Sequence, residues 1–166
     1  MTKAHTLSCS VAATLNILGD AWTLLVVREA FYGSSRFSDF QRHIGIAKNI
    51  LSDRLSLLID EGIFEKVDSG VRGQRYEYFL TAKGKSLNVV LLAMMQWGDR
   101  WAFGAGNEPV LFENALDQSE LSPLRATWKT GANLTVENTA IRPGPGADAA
   151  TLDRFASLGI TSQRES

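Results

Sequence analysis

Apolar residues recur at helical spacing along the first part of the chain, and the recurrences end at glycines. Gly19 and Gly33 each follow such a stretch, as expected of residues that end a helix. The pattern predicts three short helices with inward positions at Val11, Leu15 and Leu18, then Trp22, Leu25 and Val26, and then Phe37, Phe40 and Ile44.

A fourth helix is predicted over residues 48–61, and its two faces differ. Leu51, Leu55 and Leu58 are spaced i, i+4 and i+7 and form one apolar stripe. The opposite face carries short polar side chains, namely Asn49, Ser52, Asp53 and Ser56. An ordinary solvated helix exposes long Lys and Glu side chains, so this row indicates a surface that another molecule approaches closely. The helix is predicted to end near Glu61, with Gly62 as its stop.

Two strands are predicted after this helix, in the stretches IFEKVD and QRYEYFL. Tyr76, Tyr78 and Leu80 alternate with other positions as in a half-buried strand. The intervening SGVRG holds two glycines and Arg72, which predicts a flexible hairpin tip, over residues 69–75, that carries a cation.

The next helical stretch is apolar almost all the way round between Val89 and Met95. A surface helix has a single apolar stripe, so the second face of this helix needs a partner. The same helix of a second subunit is the simplest partner, and the alternative is a central helix buried in one larger domain. The candidate dimer contacts are Val90, Leu91, Met94, Met95, Trp97 and Trp101.

The order of these elements describes a winged helix-turn-helix, a mainly α fold with a small β-hairpin wing. Short side chains on a recognition helix reach base edges in the major groove, and flanking cations contact phosphates. A two-fold dimer predicts a roughly palindromic operator with half-sites about one helical turn, or a small multiple, apart. The candidate DNA-contacting residues are Arg36, Arg42, Lys48, Asn49, Ser52, Asp53, Arg54, Ser56, Arg72, Gln74 and Arg75.

Several of these side chains have a structural alternative. Arg54 lies beside the apolar stripe, where it can pair with a carboxylate of its own domain, and Arg75 begins a strand. Asp53 is unfavourable beside phosphates, although a carboxylate can accept a hydrogen bond from a cytosine amine. His43 closes a helix, and a capping role is the interpretation favoured for it.

The totals limit the classes of protein that remain. The chain has 166 residues, of which 45% are hydrophobic, so a packed core is expected. The net charge is −1, so any nucleic-acid surface must come from local segregation of charge. A single cysteine fits a reducing cytoplasm, and VVLLAMM is too short to span a bilayer. We expect a cytoplasmic protein with a DNA-binding domain at 1–104, including the dimer helix, and an irregular or β extension at 105–166.

Residues from about 8 to 104 resemble the HxlR-type transcriptional regulators, a branch of the winged-helix regulators. The similar stretches are CSVAATLNILGDAWTLLVVREAFYGSSRFSDFQRHI, ILSDRLSLLIDEGIFEK, YEYFLTAKGKSL and WGDRW. The resemblance implies a dimeric, DNA-binding repressor or activator. One departure is Ala47, where this family commonly has Ser or Thr ahead of the recognition helix. Loss of such an N-cap typically costs about 1 kcal/mol of helix stability.

Cys9 stands at the predicted start of the first helix, where the helix dipole favours a thiolate. A cysteine near this position is similar to the family pattern, and some relatives are thiol-based redox sensors. The structural alternative is a small, partly buried cap. With one cysteine, a redox switch needs an intersubunit disulfide, a low-molecular-weight thiol or a sulfenic acid.

The extension after residue 104 has weaker signals. PVLFENAL and LRATWKTG are candidate strands, and DAATLDRFASLG is a candidate terminal helix. Phe112, Trp128 and Leu134 either line an apolar pocket for a small effector or pack a hairpin on the dimer helix; packing is favoured. The extension resembles that of longer family members with a Cys-containing ribbon, but it holds no cysteine, so we infer no structural zinc, metal or cofactor.

Two other classes of function compete with a DNA-binding regulator. An enzyme lacks support, because the chain offers His5 and His43 but no nucleophile motif, phosphate loop or metal-ligand cluster. A winged helix that binds proteins instead of DNA is supported by the near-neutral charge, by Asp53 and by Ala47. Salt dependence discriminates, since DNA affinity falls steeply with salt and an apolar protein interface hardly responds.

Overall fold

Four helices precede a β-hairpin, in the order that the hydrophobic pattern predicts. The computed structural model describes residues 5–71 and 74–160, and at 71, 74 and 75 it describes the backbone only. The elements are α1 (Ser10–Leu18), α2 (Thr23–Phe31), α3 (Phe37–Ile44), α4 (Lys48–Asp60), β1 (Phe64–Val71), β2 (Gln74–Leu80), α5 (Ala82–Lys85), α6 (Asn88–Gly98), a π-helical turn (Asp99–Phe103) and α7 (Ala149–Ser157). The predicted mainly α winged-helix fold is confirmed.

The core lies where α2, α3, α4 and the hairpin meet. Val26 and Val27 of α2 and the apolar stripe of α4 are buried in it. Phe40 of α3 lies at its centre, and its ring meets those of Phe64 and Tyr78 edge to face at centroid distances of 6.1 and 6.5 Å. Edge-to-face packing of three aromatic rings fixes α3 against the hairpin.

The hairpin is longer than the sequence predicts. β1 and β2 are antiparallel, Phe64 pairs with Leu80, and the pairing continues to Val71 with Gln74. Residues 69 and 70 therefore belong to β1 and not to a loose tip. The register shifts between Asp68 and Val71, which marks a β-bulge, and Gly70 there has a φ of 66° that favours glycine.

The base of the hairpin is joined to the chain segment that enters α3. The N–H group of Tyr78 donates to the carbonyl oxygen of Ser35 at 2.8 Å, and Arg36 forms an isolated antiparallel bridge with Glu77. The helical part and the wing thus share backbone hydrogen bonds, so their relative placement is fixed by more than side-chain packing.

The predicted inward face of α1 is only partly correct. Leu18 is buried, but Val11 and Leu15 are exposed. Helical spacing identifies which residues share a face, and it does not establish that the same chain covers that face.

α6 divides the candidate dimer residues into two groups. Leu91 is buried among the core residues of its own chain, and its assignment as a dimer contact stays a prediction. Val90, Met94, Trp97 and Trp101 are exposed, and Met95 is half-buried. The division follows from helical geometry, because one side of α6 packs on the domain and the other side does not.

The chain forms two compact units. One is Thr14–Leu124, and the other comprises the described parts of Ala4–Ala13 and Arg125–Ser166. The predicted division after residue 104 stays a prediction about domains.

The strands predicted in the extension are wrong. Each stretch pairs through an isolated bridge, Glu113 with Glu120 and Thr127 with Asn133. Asn114 accepts the N–H group of Leu116 at 2.9 Å, so a turn side chain takes the place of a strand partner. The terminal helix is confirmed as α7, which Asp148 caps by accepting the N–H group of Thr151 at 2.8 Å.

Within the described ranges, no single helix is long and apolar enough to cross a membrane. α1 and α2 taken together have the length and composition, but they are bent by 80° at the break between them.

Candidate nucleic-acid interface

α3, a tight turn and α4 form the helix-turn-helix. Gly45 ends α3 in the left-handed conformation, and its N–H group donates to the carbonyl oxygen of Gln41 at 3.0 Å. Ile46 is buried in the turn, and Ala47 has the extended backbone of an N-cap. The first hydrogen bond of α4 joins the N–H group of Leu51 to the carbonyl oxygen of Ala47 at 2.9 Å.

The two predicted faces of α4 are confirmed as geometry. Leu51, Leu55 and Leu58 are buried, and the polar row is exposed along its length, at Asn49, Ser52, Asp53 and Ser56. The buried stripe orients the helix so that the short polar side chains face outward.

The cations beside this row differ in availability. Arg36 Nε lies 3.2 Å from Glu77 Oε1, so the wing strand already holds this guanidinium. Arg42 donates to Asp39 at 2.9 Å, but its side chain is 69% exposed. Lys48, at the start of α4, is exposed. Arg42 and Lys48 are therefore the most accessible of these cations.

Arg54 faces its own domain, and its assignment as a DNA contact stays a prediction. Its Nε atom lies 3.4 Å from Asp20 Oδ1, and both side chains are mostly buried. Asp20 also accepts the N–H groups of Trp22 and Thr23 at 2.8 and 3.1 Å and the hydroxyl of Thr23, and so caps α2. The pairing that the sequence left open as an alternative is the one the fold adopts.

Burial raises the pKa of Asp20, but the hydrogen bonds from Thr23 and Trp22, together with Arg54, lower it to a net value below its ordinary range. In its ionised form, the Asp20 carboxylate therefore holds both the N-terminus of α2 and one side of α4.

The remaining polar candidates lie on the wing. Arg72 lies outside the described residues, as do the side chains of Gln74 and Arg75. Their roles stay predictions from the sequence.

Comparison with known proteins decides the family. The model of the HxlR-like helix-turn-helix family matches residues 17–104, which include the whole surface just described. The chain belongs to the HxlR-like helix-turn-helix family. An uncharacterized HTH-type transcriptional regulator of Mycobacterium tuberculosis is 34% identical over 140 residues, 84% of this chain and 89% of the relative.

Solved structures agree with this assignment. PA1607, a candidate transcription factor, is 35% identical, and the match covers 84% of this chain and 97% of that one with a TM-score of 0.77. The redox regulator HypR in its reduced form is 28% identical over 54% of this chain and 90% of its own, with a TM-score of 0.51. This HxlR-family protein is a DNA-binding transcriptional regulator and not an enzyme.

A buried carboxylate behind the helix-turn-helix was missed by the sequence analysis. Glu29 of α2 is only 6% exposed. Its carboxylate lies 2.7 Å from a guanidinium nitrogen of Arg28, 3.3 Å from His43 Nδ1 and 3.4 Å from Ser34 Oγ. His43 thus contacts α2 by its side chain and is not a simple cap of α3. The available signal was an acidic residue at a core-facing position of α2, three residues after Val26.

Cys9 precedes α1 and is exposed, so the partial burial expected in the structural alternative is wrong, whereas its capping of α1 agrees with the structure. The backbone N–H groups of Ala12 and Val11 hydrogen-bond to its sulfur and lower the pKa of the thiol, and Arg154 adds to the effect. Among the described residues, no three His, Cys, Asp or Glu side chains group closely enough to hold a metal ion.

The residues proposed for an effector pocket are divided between the two units. Phe112 lines a cavity beside α6 in the first unit. Trp128 and Leu134 belong to the second unit, where the Trp128 indole donates to Asn138 Oδ1 at 3.1 Å.

Proposed function

We propose that this HxlR-family protein acts as a homodimer that recognises a roughly palindromic operator with α4 and the wing. The observation that carries the proposal is the exposed row of short polar side chains on α4, held outward by fully buried leucines. Such a surface lets a helix enter the major groove and bring hydrogen-bonding groups to base edges.

The proposed contacts fall into two kinds. Base edges are assigned to Asn49, Ser52, Ser56 and, through a cytosine amine, Asp53. Phosphates are assigned to Arg42 and Lys48, which are exposed, and to Arg36 after release from Glu77. The wing contribution is assigned to Arg72, Gln74 and Arg75.

The dimer is assigned to the exposed side of α6. Val90, Met94 and Trp97 of α6 and Trp101 of the π-helical turn are exposed, and together they form an apolar surface. A two-fold pairing of this surface covers it in both subunits at once and presents two α4 helices to one duplex. The proposal includes action in the cytoplasm, where a transcriptional regulator meets DNA.

The proposal is tested by fluorescence anisotropy with labelled DNA from upstream of the gene and with scrambled duplex, across a salt series. Arg42→Ala is expected to weaken binding to both duplexes and to flatten the salt slope by about 0.9 for each protomer. Ser52→Ala is expected to reduce the difference in affinity between the upstream DNA and the scrambled duplex. Lys129→Ala removes an exposed cation of the second unit and serves as the control.

The alternative protein-interaction function has its own signature in this experiment. Operator recognition is contradicted if the protein binds both duplexes with equal affinity and also selects no sequence from a random-sequence pool. A DNA affinity that does not change with salt concentration contradicts any contact with phosphates.

The dimer is tested separately by light scattering after size exclusion. Met94→Glu places a charge on the proposed interface and is expected to yield monomers with unchanged circular dichroism. Leu116→Glu changes another exposed apolar residue, outside α6, and is expected to remain dimeric. A Met94→Glu variant of dimeric mass would contradict the assignment.

We assign control by oxidation to Cys9, with a small effector as the alternative. The exposure of Cys9 and the lowered pKa of its thiol favour reaction with oxidants, and the structural relative HypR is a redox regulator. An oxidant is expected to change the operator affinity of the wild type, reversibly with reductant, and to leave Cys9→Ser unaffected. Equal responses of both proteins would exclude Cys9 as the sensor.

A further inference from the structure

A cavity of about 710 Å³ lies between α6, the π-helical turn and the chain segment 105–124. All of its lining residues belong to the first unit. Its size is that of a site for a small organic molecule. The DNA-contacting residues proposed above do not line it.

The chain segment 105–124 forms the outer wall of the cavity, and α6 holds this segment in place. The side chain of Gln96 donates to the carbonyl oxygen of Ser122 at 3.2 Å and accepts the N–H group of Leu124 at 2.7 Å. The ring of Phe112 also lies 6.4 Å from that of Tyr32, just after α2. The segment is therefore attached to helices at two points, and the cavity is preformed.

The lining combines aromatic and aliphatic surface. Leu92 and Met95 contribute from α6, and Phe112 contributes from the outer wall. Trp97 and Trp101 also line the cavity, and since they belong to the proposed dimer surface, the second subunit is expected to cover part of both rings. Indole faces attract cations through their π-electrons, and the guanidinium of Arg100 already lies 4.9 Å from the ring of Trp101.

The charge of the lining is strongly unequal. Four carboxylates, those of Asp99, Glu108, Glu113 and Glu120, face a single cation, Arg100. Among the described residues, the structure gives neither Glu113 nor Glu120 an ion-pair partner.

Glu113 and Glu120 stand directly opposite each other in the outer wall. The backbone hydrogen bonds on either side of them, Asn114 to Ser119 at 2.9 Å and Leu121 to Phe112 at 3.3 Å, define a non-hydrogen-bonded antiparallel pair. Side chains of such a pair share one face at close range, and like charges there repel. A cation bound between them removes that repulsion.

We propose that this cavity binds an apolar organic cation, with its positive charge near Glu113 and Glu120 and its apolar groups against the aromatic lining. The charge of the lining selects against anions of the same shape. Binding of the cation does not require DNA binding, whereas control of the operator by the cation rests on the function proposed above.

Isothermal titration calorimetry of the full chain with tetraphenylphosphonium tests the proposal, with tetraphenylborate as a probe of the same shape and opposite charge. The cation is expected to bind at least about tenfold more tightly than the anion, and its affinity is expected to fall with salt. Equal binding of the two probes, or no binding of the cation, would overturn the proposal.

A pair of charge variants localises the site. Glu113→Gln with Glu120→Gln is expected to weaken cation binding at least about fivefold, with thermal stability kept or improved because a like-charge pair is removed. Asp60→Asn with Glu65→Gln removes two carboxylates that do not line the cavity and is expected to bind the cation as the wild type does. Similar losses in both double variants would overturn the placement of the site.

The unliganded Glu113→Gln/Glu120→Gln protein is expected to keep wild-type operator affinity. Failure of the cation to bind while the operator is still recognised overturns the cavity proposal alone. Loss of operator recognition in the wild type overturns the proposed function and leaves the calorimetric result standing.

Discussion

Ala47 offers a substitution whose effects on folding and on DNA binding are expected to separate. Its φ and ψ of −64° and 141° already match an N-cap, but its methyl group accepts no hydrogen bond. The N–H groups of Asn49 and Ile50, at the second and third positions of α4, would be the partners of a capping oxygen. Ala47→Ser supplies that oxygen without a change of backbone.

The gain in stability follows from cap energetics. Substitution of Ser by Ala at an N-cap typically costs about 1 kcal/mol, so Ala47→Ser is expected to raise the free energy of unfolding by about that amount. For a chain of this size, it corresponds to an increase of about 2–4 °C in melting temperature. Ala47→Asp adds an attraction of about 0.3–1 kcal/mol between its carboxylate and the helix dipole.

The DNA response of the two variants is expected to differ. Ala47→Ser keeps the charge and is expected to bind the operator at least as tightly as the wild type. Ala47→Asp places a carboxylate at the end of α4 that our proposal sets against the phosphate backbone. It is expected to bind both operator and scrambled duplex more weakly, although it is the more stable protein.

The assays are urea denaturation and fluorescence anisotropy, with Ala115→Ser and Ala115→Asp as controls at an exposed turn position. The controls are expected to change stability by less than about 0.5 kcal/mol. If Ala47→Ser brings no stabilisation, the capping argument is refuted. If Ala47→Asp is stabilised and binds DNA as the wild type does, the N-terminus of α4 does not lie on the phosphate backbone.

Further perturbations probe the frame of the site. Leu55→Ala, at a buried position of α4, is expected to cost about 2–5 kcal/mol in urea denaturation. Gly84→Ala would set a Cβ atom 2.2 Å from the carbonyl oxygen of Ile63 and is expected to cost about 1–3 kcal/mol, whereas Gly98→Ala meets open space and is expected not to destabilise. Because the folded pKa of Asp20 is lowered, its stabilising effect is present above the ordinary carboxyl pKa and is lost as pH falls through the folded value. The stability difference between the wild type and Asp20→Asn, measured by thermal unfolding, is therefore expected to shrink on acidification.

Local signals predict the helix-turn-helix well. The helical period places Leu51, Leu55 and Leu58 on one stripe, and the left-handed conformation of Gly62 ends the helix. Both are properties of short segments. The alternation of Tyr76, Tyr78 and Leu80 in the wing has the same origin. The structure agrees with all of these.

Contacts between residues that are far apart in the sequence cannot be predicted from such local signals. Arg36 meets Glu77, and Arg54 meets Asp20, across separations that no local pattern encodes. To predict the burial of Leu91, one must know which side of α6 packs on the domain, and the helical period alone does not supply this. In the extension, β-type composition predicts strands wrongly, because turn side chains such as Asn114 accept backbone N–H groups that strand pairing would use.

α2 connects the surfaces that this protein is proposed to use. At its N-terminus, Asp20 caps the helix and holds Arg54 of α4. Near its C-terminus, the Glu29 carboxylate contacts His43 of α3, and Tyr32 just beyond packs on Phe112 of the cavity wall. A ligand that displaces Phe112 therefore acts on the same helix that supports α3 and α4. Since coupling between two binding sites is reciprocal, any change that the cation makes in operator affinity must equal the change that the operator makes in cation affinity.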